Sequence, residues 1–278
     1  MSGDLFDPRQ PPRASVRSDV GLARRVNEDS FLAVFPLYLV ADGMGGHERG
    51  DLASSTAVRV IQESVPLGEP VDPAVLLDAV RRANDAIRTD DAQNPTALSG
   101  TTLTGLAVAR SADRTVHWMV VNVGDSRVYS WNGRALSQLT VDHSVVQELV
   151  DSGDITSAEA ENHPERNTIT RALGVLETVE VDAWLLPYSA ATTYLVCSDG
   201  VTKELGIDRI EQILSSHSEQ SGTTLADAIV DAALLAGGRD NITAIVLEAT
   251  ESTDVEAVST QSRLHISDLD DTRPRSLL

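Results

Sequence analysis

The chain reads as an α+β fold in which antiparallel sheet packs against helices. Three observations predict it. Short apolar runs bounded by turn residues recur along the chain, an Asn132-Gly133 pair separates two of them as a hairpin signal, and other stretches repeat their apolar residues at helical spacing.

Taken in order, Val16 and Val20 mark the first strand, and 31–35 and 37–41 the next two, with Pro36 turning the chain between them. From His47 the spacing becomes helical through Leu52, Ala53, Thr56, Ala57, Val60 and Ile61, and Pro66 closes the segment. A second helix is predicted over 72–88, with Asp72 as cap, Pro73 in the first turn, and Val75, Leu76, Ala79, Val80, Ala83 and Ile87 on one face. Strands follow at 101–109, 115–123, 127–131 and 134–139. A polar insertion over 144–168 carries two short helices, 144–153 and 157–162, and reads as a mobile element. Strands at 179–186 and 193–197, helices at 207–214 and 225–236, and an apolar strand at 242–247 complete the pattern. No repeat or internal linker divides it, so one domain is expected over 14–249. Residues 1–13 read as a flexible arm and the acid-, Ser- and Thr-rich 250–278 as a disordered tail.

Composition narrows the function. With 278 residues and 41% hydrophobic content the chain can bury a sizeable core. A formal net charge of -20 argues against a broad nucleic-acid or anionic-membrane surface, since both need a basic footprint. The first residues lack the basic leader and apolar core of a signal peptide, and no apolar run is long enough to span a bilayer. A cytoplasmic location is the expectation, and the lone Cys197 fits a reducing compartment. Lys203 is the only lysine.

The chemistry concentrates at Asp42. The apolar run 37–41 delivers this carboxylate into Gly43-Met44-Gly45-Gly46-His47, where glycines let carbonyl oxygens approach whatever Asp42 holds. A hard divalent cation is the natural occupant. Glu28, Asp29, Asp125, Asp199 and Asp240 also flank apolar runs, most of them beside glycine. Any one alone is an ordinary turn or capping residue. Together they would repel one another unless cations neutralise them, and an oxygen-only ligand set selects magnesium or manganese over zinc. A pair of such ions can aim a hydroxide at phosphorus, so metal-assisted hydrolysis of a phosphate ester is the chemistry that fits.

The ordered set Arg24…Asn27-Glu28-Asp29, Asp42-Gly43-Met44-Gly45-Gly46-His47, Ser99-Gly100-Thr101-Thr102, Gly124-Asp125-Ser126-Arg127, Leu139-Thr140-Val141-Asp142-His143-Ser144, Ile169-Thr170-Arg171-Ala172-Leu173-Gly174, Ser198-Asp199-Gly200 and Arg239-Asp240-Asn241-Ile242-Thr243 resembles the metal-dependent serine/threonine protein phosphatases of type 2C in their bacterial form. The resemblance spans about 14–249. It implies a four-layer αββα sandwich, two antiparallel sheets flanked by helix pairs. It also implies hydrolysis of phosphoserine and phosphothreonine by a hydroxide bridging two Mn2+ or Mg2+ ions, without a phosphoenzyme.

By position, the resemblance makes Asp42 the bridging ligand, the Gly43 carbonyl a ligand of the first metal, and Asp199 and Asp240 ligands of the second. It gives Asp125, with Asp199, a third and weaker metal, and makes Glu28 and Asp29 water-mediated supports. Arg24 becomes the grip on the substrate phosphate. The insertion 144–168 corresponds to the family's flap. Met44 stands where animal members carry a proton-donating histidine. A metal-bound water or His143 is then the candidate donor, with a structural hydrogen-bonding role for His143 as the alternative, and His47 reads as a positioning residue.

The implied partners are phosphoserine and phosphothreonine proteins and the serine/threonine kinases that make them, acted on by a monomer that binds neither nucleic acid nor membrane. A pseudophosphatase that keeps the fold without chemistry, and a phosphatase dedicated to one regulatory phosphoserine protein, are the alternative readings. The first usually shows a lost metal ligand, and Asp42, Asp199 and Asp240 are all present.

Three look-alikes fail. Cys197 lacks the arginine six positions on that a cysteine phosphatase needs, Lys203 standing there instead. Asp268-Leu269-Asp270-Asp271-Thr272 resembles a nucleophilic aspartate motif but has only a few residues after it, where a whole domain is required. Gly124-Asp125-Ser126 has no histidine and aspartate motif downstream to make an esterase.

Overall fold

The computed structural model describes residues 11–45, 49–92, 99–188, 192–216, 223–248 and 264–265. One sheet runs β1 (Arg13–Asp19), β11 (Ile242–Glu248), β10 (Thr193–Cys197), β7 (Arg127–Trp131) and β8 (Leu136–Gln138) in spatial order. The other runs β12 (Leu264–His265), β9 (Asp182–Pro187), β6 (Val116–Val123), β5 (Leu103–Arg110), β3 (Leu37–Gly45) and β2 (Asp29–Val34), with β4 (Ser99–Thr101) paired to the far end of β3. All ladder pairings are antiparallel.

Side-chain alternation along the strands builds the layers. On β3, Leu37, Leu39 and Ala41 face helices α1 (Gly50–Ser64) and α2 (Pro73–Ala92), joining Ile61, Leu76, Val80 and Ile87 in one core. Tyr38 and Val40 point the other way, into a layer between the sheets with Leu106, Val120, Val196 and Ile245. There Trp118 sits edge-on to Tyr38 at 6.4 Å and tilts against Tyr194 at 5.3 Å. A third core packs the outer face of β10 and β11 against α5 (Asp199–Glu204), α6 (Ile207–Ser216) and α7 (Leu225–Ala236). The four-layer αββα sandwich is therefore the observed architecture. Because β3 is buried on both faces, it reads as an unbroken apolar run.

Local chemistry sets the boundaries. Asp72 caps α2 as its side chain accepts from Ala74 N at 2.8 Å. Leu52 and Val75, assigned to buried helix faces from spacing, are more than a third exposed, while their neighbours Ala53 and Leu76 are buried. The β7–β8 hairpin forms, but not as a two-residue turn with two positive φ values. Trp131 pairs with Leu136 across a four-residue loop; only Gly133 is left-handed (φ 84°), and the Asn132 side chain accepts from both Arg134 N and Ala135 N.

The single strand read over 101–109 is broken at Thr102 into β4 and β5, because Thr102 N turns to bond Asp42 O at 2.9 Å. α1 starts at Gly50, and His47 lies outside the described residues. The insertion holds α3 (Val145–Ser152) and α4 (Ser157–Ala160), neither with a buried residue, closed at its base where Ser144 bridges Ile169. Within the stretch 250–278, Leu264–His265 pair with β9, and the rest lies outside the described residues.

Leu106 is fully buried between the sheets. Leu106→Ala should lower unfolding free energy by about 3 kcal/mol through lost burial and a residual cavity. Chemical denaturation reads this directly, and a loss below about 1 kcal/mol would mean the sheets are not packed at that point.

Candidate active site

The site lies where strand ends of both sheets meet. Asp29 on β2 pairs directly with Asp42 on β3, which sets two carboxylates side by side. Like charges so placed destabilise a ladder, so both backbones need restraint. Asp42 has it. Thr102 and Thr101 donate to its carbonyl, from N at 2.9 Å and Oγ1 at 2.9 Å, while its own N–H donates to Thr102 Oγ1 at 3.0 Å. Ser126 Oγ lies 2.8 Å from the same Thr102 hydroxyl, which ties Asp42 to the turn carrying Asp125.

Each further carboxylate is anchored in its own way. Asp125 follows Gly124, whose carbonyl accepts from His143 N at 3.0 Å and whose N–H donates to His143 Nδ1 at 2.9 Å. Asp199 opens α5 just after Ser198, whose hydroxyl donates to Asp29 Oδ2 at 2.7 Å. Asp240 precedes Asn241, which acts as a clip: its Oδ1 accepts from Glu28 N at 2.9 Å, and its Nδ2 donates to Val20 O and Val26 O at 3.0 and 2.9 Å.

Two glycines permit the closest approaches. A Cβ on Gly43 would run into the carbonyl of Gly50, and one on Gly200 into the carbonyl of Asn241. Neither position can carry a side chain without moving backbone.

Electrostatics show these groups share one field. Asp42 is pushed well above the usual carboxylate range, first by burial and then by the charges of Asp199, Asp29, Asp125 and Asp240. Asp29 rises to about 7, mainly through burial, against hydrogen bonds from Thr243 and Ser198. Asp125 also rises to about 7, through burial and then Asp199 and Asp142. Burial likewise raises Glu28, opposed by Arg24. At an effective dielectric near 20, two like charges about 4 Å apart repel by about 4 kcal/mol, so the ionised cluster demands cations.

Two side chains supply positive charge. Arg24 Nη2 lies 2.9 Å from Asp240 Oδ1 and its Nη1 3.9 Å from Glu28 Oε2, with half the side chain exposed. Lys203 ion-pairs Asp199 Oδ2 and reaches Asp240 Oδ2 at 3.4 Å. Burial works against the lysine's charge, but Asp199, Asp240 and Asp42 outweigh it and hold its pKa above the ordinary value. With Glu28, Asp29, Asp42, Asp125, Asp199 and Asp240 all ionised, these two cations leave four negative charges, the charge of two divalent ions.

The donor chemistry fits such ions. Every ligand atom is oxygen, and Asp199 Oδ1 and Asp29 Oδ1 are buried acceptors with no hydrogen-bond partner. Among the described residues, no three or more Asp, Glu, His or Cys side chains are arranged as they stand to hold a metal ion.

The structure thus brings together Arg24, Glu28, Asp29, Asp42, Gly43, Asp125, Asp199 and Asp240. It places His143 differently from a free proton donor. The ring is buried, Nδ1 accepts from Gly124 N, and Nε2 faces Asp182 Oδ2 at 3.2 Å, itself held by Arg171 Nη1 at 2.6 Å. Cys197 is buried, its thiol pushed up to about 12 mainly by that burial, which agrees with a structural residue.

Sequence reasoning missed the short helix α5 and, with it, Lys203 as part of the site. A signal was there: Asp199 and Lys203 stand four apart, one helical turn.

A model of the family Protein phosphatase 2C matches residues 24–236. Serine/threonine phosphatase stp of Listeria monocytogenes is 37% identical over 248 residues, covering 84% of this chain and 95% of that protein. Among solved structures, the PPM Ser-Thr phosphatase MsPP from Mycobacterium smegmatis in complex with cacodylate superposes with a TM-score of 0.75 at 36% identity, covering 86% of this chain and 98% of that one. The catalytic domain of serine threonine protein phosphatase PstP in complex with two manganese ions superposes with a TM-score of 0.71 at 34% identity, covering 84% and 96%. The chain belongs to the protein phosphatase 2C family.

Asn241→Ala removes one acceptor and two donors that join the 20–28 loop to β11. It should destabilise the protein by about 3 kcal/mol, since buried partners are left unpaired. Thermal unfolding measures it, and an unchanged melting temperature would refute the clip.

Proposed function

We propose that this chain is a metal-dependent protein phosphatase that hydrolyses phosphoserine and phosphothreonine in proteins, opposing serine/threonine kinases. The observation that carries this reading is the converged carboxylate cluster, with buried, unpartnered oxygens on Asp199 and Asp29 and a guanidinium at its rim. Family membership and the manganese-bound relative support it.

In this reading Asp42 and the Gly43 carbonyl would hold the first cation, and Asp42, Asp199 and Asp240 the second. Asp125, which feels the charge of Asp199, would form with it the pair suited to a third, weaker ion, and manganese or magnesium suits the oxygen donors. Two divalent cations bound there would supply the charge that activates water and offsets the phosphoryl oxygens. The protein's own part is positioning. Glu28 and Asp29 orient waters around the ions, and Glu28 is itself fixed by Asn241.

Arg24, half exposed on the 20–28 loop, can turn its planar fork from Asp240 to a phosphoryl group. Met44 has no proton to give. His143 serves as a positioning residue, gripping Gly124 beside Asp125, and the leaving oxygen takes its proton from water. A monomer acting in the cytoplasm completes the proposal; no helix among the described residues is long and apolar enough to cross a membrane.

Asp42→Asn should cut phosphopeptide turnover by roughly a thousandfold while thermal stability holds, because a metal-borne contribution of several kcal/mol is lost. Retained turnover would overturn the assignment. Arg24→Ala should lower kcat/KM by roughly ten- to a hundredfold, the worth of a hydrogen bond to a charged group. Steady-state kinetics on one phosphopeptide compares both variants, and an unaltered kcat/KM in Arg24→Ala would remove the arginine from substrate binding.

A further inference from the structure

Lys203 plays no part in the proposed chemistry, yet it sits in the middle of the site. Its ammonium lies across Asp199 Oδ2 and Asp240 Oδ2, one oxygen from each of the two aspartates that join Asp42 on the second cation. An ordinary surface pair four apart on a helix would reach only Asp199. This one also spans to Asp240, which enters from the loop before β11. Asp42 acts on the same ammonium, and the ammonium in turn acts on Asp125. Asp240's other oxygen is already engaged, by Arg24 Nη2 at 2.9 Å and Asn241 N at 2.9 Å. Asp199 Oδ1, by contrast, is buried without a partner. The lysine therefore holds the last open oxygen of Asp240 and one of the two on Asp199.

An ammonium and a divalent cation cannot share those oxygens. Both are positive, and at ligand distances they repel strongly in a partly buried site. Lysine suits a temporary occupant. Its compact charge rides on a flexible four-carbon stem, and 37% of the side chain is exposed, which leaves a way out to solvent.

We propose that Lys203 is a built-in, displaceable cation occupying Asp199 and Asp240, so that the second divalent ion binds by exchange with the ammonium rather than by filling a ready shell. This rests on the metal-dependent phosphatase reading. Exchange has two consequences. The second ion binds more weakly than it would beside a neutral residue, because only the fraction of molecules with the lysine swung out is competent. The metal-free protein, in turn, keeps two mutually repelling aspartates together until an ion arrives.

A purely structural lysine makes the opposite forecast. If Lys203 only braces α5 against the loop before β11, removing it loosens Asp240 and weakens ion binding. The two accounts thus differ in the sign of one measured quantity.

The test is calorimetric titration of the full chain with manganese chloride, comparing the unaltered protein with Lys203→Met, Lys203→Gln and the charge-retaining Lys203→Arg. Exchange predicts that Met and Gln tighten the weaker of the two ion sites by roughly tenfold while the tighter site moves less than about twofold, as for a competitor removed from one site. Lys203→Arg should not tighten it. Thermal melts of the same proteins should show a lower metal-free melting temperature in Lys203→Met and a larger rise on adding manganese. Unchanged or weakened second-ion affinity in Met and Gln overturns the exchange while leaving the phosphatase reading in place. Failure of the unaltered protein to bind manganese at all overturns both.

Discussion

Repulsion among six carboxylates at one mouth is the constraint on which the rest of the structure depends. Glu28, Asp29, Asp42, Asp125, Asp199 and Asp240 come from both sheets, and each added negative charge makes the next harder to hold. The fold answers with backbone restraints. Thr101 and Thr102 fix Asp42, His143 grips the Asp125 turn, Asn241 clips the Glu28 loop, and Ser198 joins Asp29 to the start of α5. Two buried layers behind these anchors, one between the sheets and one under α1 and α2, give them a stiff base.

The same repulsion makes the site useful. Acceptors prevented from relaxing apart, two of them buried and unpartnered, favour divalent cations, since six carboxylates, once all ionised, face only Arg24 and Lys203 as compensating charges. The cationic side chains divide the remaining work by their chemistry. Arg24 offers a planar fork at the rim, suited to a phosphoryl group, whereas Lys203 offers a mobile point charge at the centre, suited to exchange with an ion.

Much of this was legible in the sequence because it is written locally. An apolar run feeding Asp42 into glycines requires nothing distant to be recognised, and a β3 buried on both faces explains why that run is unbroken. The sandwich was legible through the family's motifs more than through periodicity. What stayed hidden depends on tertiary partners. For His143 the sequence leaves a proton donor and a structural hydrogen-bonding residue equally open, because the partners of its two nitrogens, Gly124 N and Asp182, come from other elements. The break between β4 and β5 follows from Thr102 turning to Asp42, which no propensity reveals. α5 is too short for its apolar spacing to show, so Lys203 read only as an arginine missing from another enzyme's motif.

The central claim is that metal ions complete this site and make it a phosphatase. Hydrolysis of a phosphoserine or phosphothreonine peptide, followed with manganese present, after chelation, and again after manganese is restored, tests it most directly. The account predicts turnover that vanishes on chelation and returns with the metal. Turnover that persists undiminished in excess chelator, or that never appears with either manganese or magnesium, would contradict it.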